Sequence, residues 1–118
     1  MANNLNSLIL EGVVSGEPHY LEATQRLEFA IDSSRIYKNA SGEDVVEHYQ
    51  FDVVSYGEYG KSLLKPLKSC TGVRIVGRLK QDKWEDSDGV THSKVYIVSE
   101  HIEFKLKKYG QEKSETLL

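Results

Sequence analysis

The chain has 118 residues, of which 39% are hydrophobic and 28% are charged, with a formal net charge of −3. These values fit one soluble globular domain that is long enough to bury a core. Cys70 is the only cysteine, which excludes an internal disulfide and a zinc site of several cysteines. The start, MANNLNSLIL, has neither the cationic flank of a signal peptide nor an apolar run of membrane length. We therefore expect a cytoplasmic protein with no membrane partner.

The first half of the chain indicates three strands. Residues 6–14 are apolar, and the sequence GEP at residues 16–18 is expected to end this strand. Residues 27–37 begin with LEFAI, an alternation that turns its odd-numbered side chains toward the core. Residues 38–43 (KNASGE) have the composition of a turn, and residues 45–56 form the third predicted strand.

The second half predicts a short helix and two further strands. Leucines at helical spacing place the helix at residues 58–67, and the strands cover residues 71–81 and 91–104. Three strands, a helix and two strands form the pattern of an all-β, five-stranded OB-fold barrel, in which the helix lies between strands 3 and 4. We expect this domain to span residues 1–106, followed by a short polar tail at 107–118 whose composition predicts disorder.

The segment GVRIVGRLKQDKWEDSDG alternates apolar and cationic side chains and ends in a polar turn. Period-two geometry predicts that Val73, Ile75 and Leu79 lie on one face of the fourth strand and that the opposite face carries Arg74, Arg78 and Lys80. Lys83 and Trp84, the chain's single tryptophan, follow at the end of this strand.

The charge of the chain is unevenly distributed. Residues 61–83 carry seven cationic side chains against one acid, whereas residues 1–60 carry three cationic and ten acidic ones. Cations interleaved with aromatic rings suit single-stranded nucleic acid, since the charges follow the phosphates and each ring offers a surface on which a base stacks. The alternative for this segment is an ordinary solvated strand face with a plain hairpin tip.

Chemical motifs are weak throughout the chain. The turn DSDG at residues 86–89 lacks the spacing and the closing glutamate of a calcium loop. Neither His48 with Asp52 nor His101 with its flanking glutamates forms a metal-ligand set of recognised spacing, and no phosphate-binding glycine motif occurs. We therefore predict a protein that is not an enzyme and that needs no cofactor and no metal.

Over roughly residues 5–105 the chain resembles bacterial single-stranded DNA-binding proteins, the SSB family. The resemblance rests on the order and spacing of four blocks, LNSLILEG, FAIDSSRIYKNASGE, FDVVSYG and GVRIVGRLKQDKWEDSDG. It implies an OB fold that forms a homo-oligomer, with a tetramer favoured over a dimer, in a nucleoid-associated protein. It also implies binding of single-stranded DNA with little sequence preference during replication, recombination and repair.

Several residues are candidates for the DNA-binding surface. By resemblance, the block positions assign Trp84, Lys83 and Lys80 to it, together with Tyr56 as a stacking ring and Arg35, Tyr37 and Lys38 near the second strand and its loop. Arg78 and Arg74 join them as cations on the Lys80 face. Other roles stay open at this point: Trp84 could cover the barrel end, the tyrosines could pack against the core, and the arginines could form ion pairs at an interface.

Two departures from the family pattern affect this prediction. Many members carry a tryptophan on the third strand where this chain has Gln50 or Tyr49. The family usually ends in an acidic tip that recruits replication and repair proteins, but this sequence stops at KSETLL, so it is either naturally tailless or truncated. The alternative function is an OB-fold scaffold or primosomal-type assembly protein that mainly binds other proteins.

Overall fold

A computed structural model describes residues 3–108 and 111–117, with side chains described through residue 105. Its elements in chain order are β1 (Leu8–Leu21), β2 (Arg26–Lys38), β3 (Asp44–Tyr56), α1 (Gly57–Ser62), α2 (Leu64–Ser69), β4 (Gly72–Glu85), β5 (Thr91–Lys108) and β6 (Gln111–Leu117). None of the helices in this described part is long and apolar enough to cross a bilayer.

The strands form one sheet in the order β3-β2-β1-β4-β5-β6. A short parallel pairing between β3 and β5, at Val53 with Ile97 and Val54 with Val98, closes the first five strands into a barrel. Closure removes the edges that β3 and β5 would otherwise expose at these positions. The predicted all-β, five-stranded barrel with helical structure between β3 and β4 is therefore confirmed.

The barrel interior is filled by inward-facing aliphatic and aromatic side chains. As the alternation LEFAI predicts, Leu27, Phe29 and Ile31 are buried. Leu63, between α1 and α2, and Leu67 of α2 join the same core. The other strands supply the remaining members of this core, Val53, Val73, Ile75, Ile97, Ile102 and Phe104. In β5 the parity of the core residues changes between Ile97 and Ile102, because the pairing with β4 shifts register there. On the opposite face, Val54, Tyr96 and Val98 form a second, smaller buried cluster.

The helical segment is interrupted at Leu63, so the predicted helix at 58–67 is in fact two helices of six residues each. Pro66 lies near the start of the second helix. Because proline has no backbone N–H, it cannot bond the carbonyl four residues earlier, and the chain restarts its hydrogen bonding with Leu67 N–H donating to Leu63 O at 3.0 Å.

β1 does not end at residues 16–18 as predicted. It continues to Leu21 through an irregularity between Ser15 and His19, where Gly16 has a φ of +71°. A bulge lets the strand bend while it keeps its partner β2, so the GEP sequence marks a bend in β1 and not its end.

β4 is bent at Gly77, and this changes one face assignment. A Cβ at Gly77 would clash with the carbonyl oxygen of Val98, so only glycine permits the close approach of β5 there. Beyond this point β4 no longer pairs with β1 and continues with β5 alone, as a hairpin, as far as Glu85. Leu79, predicted to face the core, is therefore half exposed, at 50%.

Asn6 fixes the segment before β1 to this hairpin. Its amide nitrogen donates to the Leu79 carbonyl at 2.8 Å, and its amide oxygen accepts from the Leu79 N–H at 2.9 Å. The regular pairing of β1 with β4 stops at Leu8 and Gly77. The side chain of Asn6 therefore takes the place of a strand backbone two residues beyond the last β1 pair.

The structure pairs β6 with the end of β5, Leu117 lying opposite Phe104 and Gln111 opposite Lys108. The sequence predicted a polar tail without regular structure over residues 107–118. The division into a domain at 1–106 and a tail at 107–118 stays a prediction.

Candidate nucleic-acid interface

Lys80 and Tyr56 meet on the outer side of the barrel, where the β4–β5 hairpin leaves it. The Lys80 ammonium lies 3.4 Å from the Tyr56 hydroxyl and 5.6 Å from the centre of its ring. Tyr56 is 38% exposed, so the ring packs on one side and is open on the other. A cation beside an exposed ring is the pairing that a nucleotide can use for its phosphate and its base together.

Tyr96 and Asp82 form a hydrogen bond next to the Lys80–Tyr56 pair. Tyr96, opposite Lys80 on β5, is buried with Val54 and Val98, and its hydroxyl donates to Asp82 Oδ2 at 3.0 Å. Burial and the neighbouring Tyr56 and Asp82 raise the pKa of Tyr96, so it remains a donor. Burial acts to raise the pKa of Tyr56 as well, but its polar contacts with Tyr96 and with the Lys80 ammonium outweigh burial and lower that pKa.

Trp84 lies further out on the same side of β4 as Lys80. Its indole is 49% exposed and stacks on the ring of His92, with centroids 5.5 Å apart and planes 23° apart. His92 Nε2 lies 2.7 Å from Asp86 Oδ2, while the other oxygen of Asp86 accepts the backbone N–H groups of Asp88 and Val90. The turn carboxylate thus holds the histidine ring against one face of the indole.

The turn itself is the tight one that DSDG predicts. Gly89 has a φ of +79°, and its N–H donates to the Asp86 carbonyl at 3.0 Å. Hydrogen bonds from His92 and from the backbone N–H of Val90 lower the pKa of the Asp86 carboxyl, which therefore accepts three hydrogen bonds as a carboxylate at neutral pH.

The other cations of β4 differ in their surroundings. Arg74 is held between Glu11, at 2.9 Å, and Glu103, at 3.2 Å, while Arg78 lies 3.5 Å from Glu100. Both arginines share the strand parity of Lys80, as predicted, but carboxylates of the same chain already occupy them. Lys83 is exposed at a position of the opposite parity, so it lies on the other side of the hairpin from Trp84.

The three predicted residues of β2 lie apart from this cluster. The guanidinium of Arg35 lies over the ring of Tyr37 at 5.7 Å, on the strand parity that continues the barrel interior. Lys38 shares the side of Tyr56 but lies at the far end of the β2–β3 pair, about 40 Å away at the usual rise per residue. It forms an ion pair with Asp44 at 2.9 Å.

Sequence reasoning did not identify Arg26, Tyr96 or His92 as neighbours of these residues. Arg26 lies directly opposite Tyr56 on β2, and its guanidinium is 5.5 Å from the centre of the Tyr96 ring. Only the strand register could have shown this. His92 was within reach of the sequence, because a hairpin around residues 86–90 places it opposite Trp84.

Comparisons with known proteins identify the family of the chain. Residues 5–105 match the family described as the Single-strand binding protein family. The chain is 36% identical over 101 residues to the Single-stranded DNA-binding protein of Aquifex aeolicus (strain VF5), an alignment that covers 83% of this chain and 68% of that protein.

Solved structures show the same fold. A Plasmodium falciparum SSB complex with ssDNA matches with a TM-score of 0.71 at 19% identity, over 88% of this chain and 97% of that one. The single-stranded DNA-binding protein from Thermus aquaticus, as a deletion mutant, matches with a TM-score of 0.74 at 20% identity, over 98% of this chain and 56% of that one. On the family match and the identity to the Aquifex protein, the chain belongs to the single-strand binding protein family.

Proposed function

We propose that this chain coats and protects single-stranded DNA, with little sequence preference, along the outer side of the β4–β5 hairpin. The observation that carries the mechanism is the placement of Trp84, Lys80 and Tyr56 on one side of the hairpin, with both rings partly exposed. The family to which the chain belongs consists of DNA-binding proteins that are not enzymes.

Each part of the cluster has a separate task. A base that stacks on Trp84 or Tyr56 gains about 1–3 kcal/mol from a surface that every base can use. Lys80 neutralises phosphate, which adds affinity that depends on salt and carries no sequence information. Because the protein binds only the unpaired strand, it shifts the duplex equilibrium by mass action, and no nucleotide hydrolysis is required.

The remaining predicted site residues extend this surface in the proposal. Arg78 and Arg74 lie along the same side of β4 and would have to exchange their carboxylate partners for phosphate. Lys83 lies on the opposite side of the hairpin tip. The β2 residues Arg35, Tyr37 and Lys38 would contact the bound DNA at a second place, away from the hairpin.

A homo-oligomer, with a tetramer favoured over a dimer, is part of the same proposal, as is a role in replication, recombination and repair. The outer side of β1 supports self-association, because Ile9 is 70% exposed and Val13 is 57% exposed there. The mass of the protein in solution, measured with and without oligo-dT, tests the assembly directly.

Titration of the intrinsic tryptophan fluorescence with oligo-dT tests the function. Trp84 is the only tryptophan, so every change in the signal comes from the proposed site. We expect strong quenching that weakens as salt is added. An unchanged signal at micromolar oligo-dT, together with no change in mass, would refute the proposal in favour of the scaffold alternative.

A further inference from the structure

An open recess lies next to the Lys80–Tyr56 pair, on the outer face of β2 and β3. Its volume is about 290 Å³, close to the lower end of the roughly 300–1,000 Å³ that small-molecule sites occupy. The bulge of β1 forms one wall, at Gly16, and β5 forms the other, at Lys94 and Tyr96. Ala30 and Val54 of the two central strands also line it. The space is that of one heterocyclic ring system.

Arg26 connects this recess to the proposed DNA path. It lines the recess, stacks over Tyr96 and lies opposite Tyr56 in the sheet. Its Nε atom is 2.9 Å from Glu28 Oε2 but lacks hydrogen-bond geometry, so this buried N–H has no hydrogen-bond partner within the described residues. A buried donor without a partner costs stability unless a ligand or water satisfies it.

Carboxylates in the recess determine what can enter it. Asp52 pairs with Lys94 at 3.2 Å through Oδ2, and Glu28 lies 2.9 Å from Arg26 through Oε2. Among the described residues, these ion pairs use one oxygen of each carboxylate. The second oxygens can accept hydrogen bonds. The lining carries three carboxylates, Glu17, Glu28 and Asp52, against two cations, Arg26 and Lys94. This balance favours a neutral base with N–H groups over a phosphate.

We propose that the recess takes one unstacked guanine base of the bound strand, a proposal that rests on the single-stranded DNA binding proposed above. Guanine presents the acceptors O6 and N7 beside the donors N1–H and N2–H₂. Arginine is the usual partner of the first pair, and a carboxylate can accept from the second. Thymine has a single N–H between two carbonyl groups, so it fits the carboxylates least.

Base substitution within one oligonucleotide isolates this contact. Affinities are measured by anisotropy for labelled oligo-dT that carries one central guanine, one hypoxanthine or no substitution. Hypoxanthine keeps the purine ring and its stacking but lacks the 2-amino group. We expect the guanine oligonucleotide to bind at least about five-fold tighter than the hypoxanthine one, as one directional base contact predicts.

Two isosteric variants locate the preference in the recess. Asp52→Asn and Glu28→Gln each keep the shape of the side chain, and we expect either to reduce the ratio of guanine to hypoxanthine affinity toward one. Glu58→Gln removes the same charge from an exposed position of α1 outside the recess, and we expect it to keep the wild-type ratio.

The outcomes separate the recess from the function as a whole. Equal affinities for guanine and hypoxanthine in the wild type, with oligo-dT still bound, would overturn the guanine site alone. A ratio that persists in both recess variants would also overturn it. If the wild type binds none of the three oligonucleotides, the DNA-binding function itself fails, and the guanine site fails with it.

Discussion

Replacement of Trp84 by alanine should weaken single-strand binding without unfolding the barrel. His92 already covers one face of the indole, so only one base can stack on the other face. The expected loss is therefore that of one base stack, about 1–3 kcal/mol, or roughly a five- to 150-fold weaker Kd. Trp84 belongs to neither buried cluster, so folding should lose only the indole–imidazole stack, about 0.5–1.5 kcal/mol.

Anisotropy of labelled oligo-dT measures this effect, because the variant has no tryptophan signal of its own. Trp84→Phe keeps a flat ring and should recover part of the affinity. The matched control is Tyr59→Ala, which removes a ring that is 42% exposed, on α1 and outside every proposed contact. A folded Trp84→Ala protein that binds as tightly as the wild type would show that the strand does not pass over the indole.

Three further changes test other parts of the structure. Lys80→Gln should reduce the slope of log K against log salt by about 0.7, the value for one phosphate contact on a single strand. Arg74→Gln should change this slope less, because two glutamates hold Arg74. Equal changes of slope in the two variants would contradict this ranking. Gly77→Ala should lower the free energy of unfolding, measured by urea titration, by about 1–3 kcal/mol, because the new Cβ would clash with the Val98 carbonyl. An unchanged midpoint of unfolding would argue against the close approach of β5. The pKa of Asp86 lies below its ordinary value of 3.8, so its contribution to stability is present above that pH and is lost as the pH falls through the lowered value. Melting temperatures should therefore fall more steeply in acid for the wild type than for Asp86→Asn, and parallel curves would disprove the role of this carboxylate.

The sequence contained most of the information on the barrel because its strands alternate cleanly. The inward positions of Leu27, Phe29 and Ile31 followed from period two alone. Leu79 has the same parity as Ile75 yet is half exposed, since the pairing of β1 with β4 ends at Gly77. Alternation reports which side a residue faces, but it does not report whether another layer covers that side.

The candidate site was predictable only in part, for a related reason. The pattern of β4 together with the family resemblance marked Trp84, Lys80 and Tyr56, and two of these three are in contact. Arg26 could not be found, because its place opposite Tyr56, 30 residues further along the chain, depends on the register of the β2–β3 pair. Long-range register is the information that a single sequence lacks.

The carboxamide of Asn6 affects whether other molecules can add a strand to the β4–β5 hairpin. It satisfies both the N–H and the C=O of Leu79, at the point where the open side of the hairpin begins. Backbone N–H and C=O groups that are left unpaired at a strand edge can accept a foreign β-strand. By occupying both groups of Leu79, the Asn6 carboxamide blocks strand addition and fibril-like growth at this position. Asn6→Ala would remove both hydrogen bonds without changing the core. We expect this variant to aggregate faster on storage, with little change in its melting temperature.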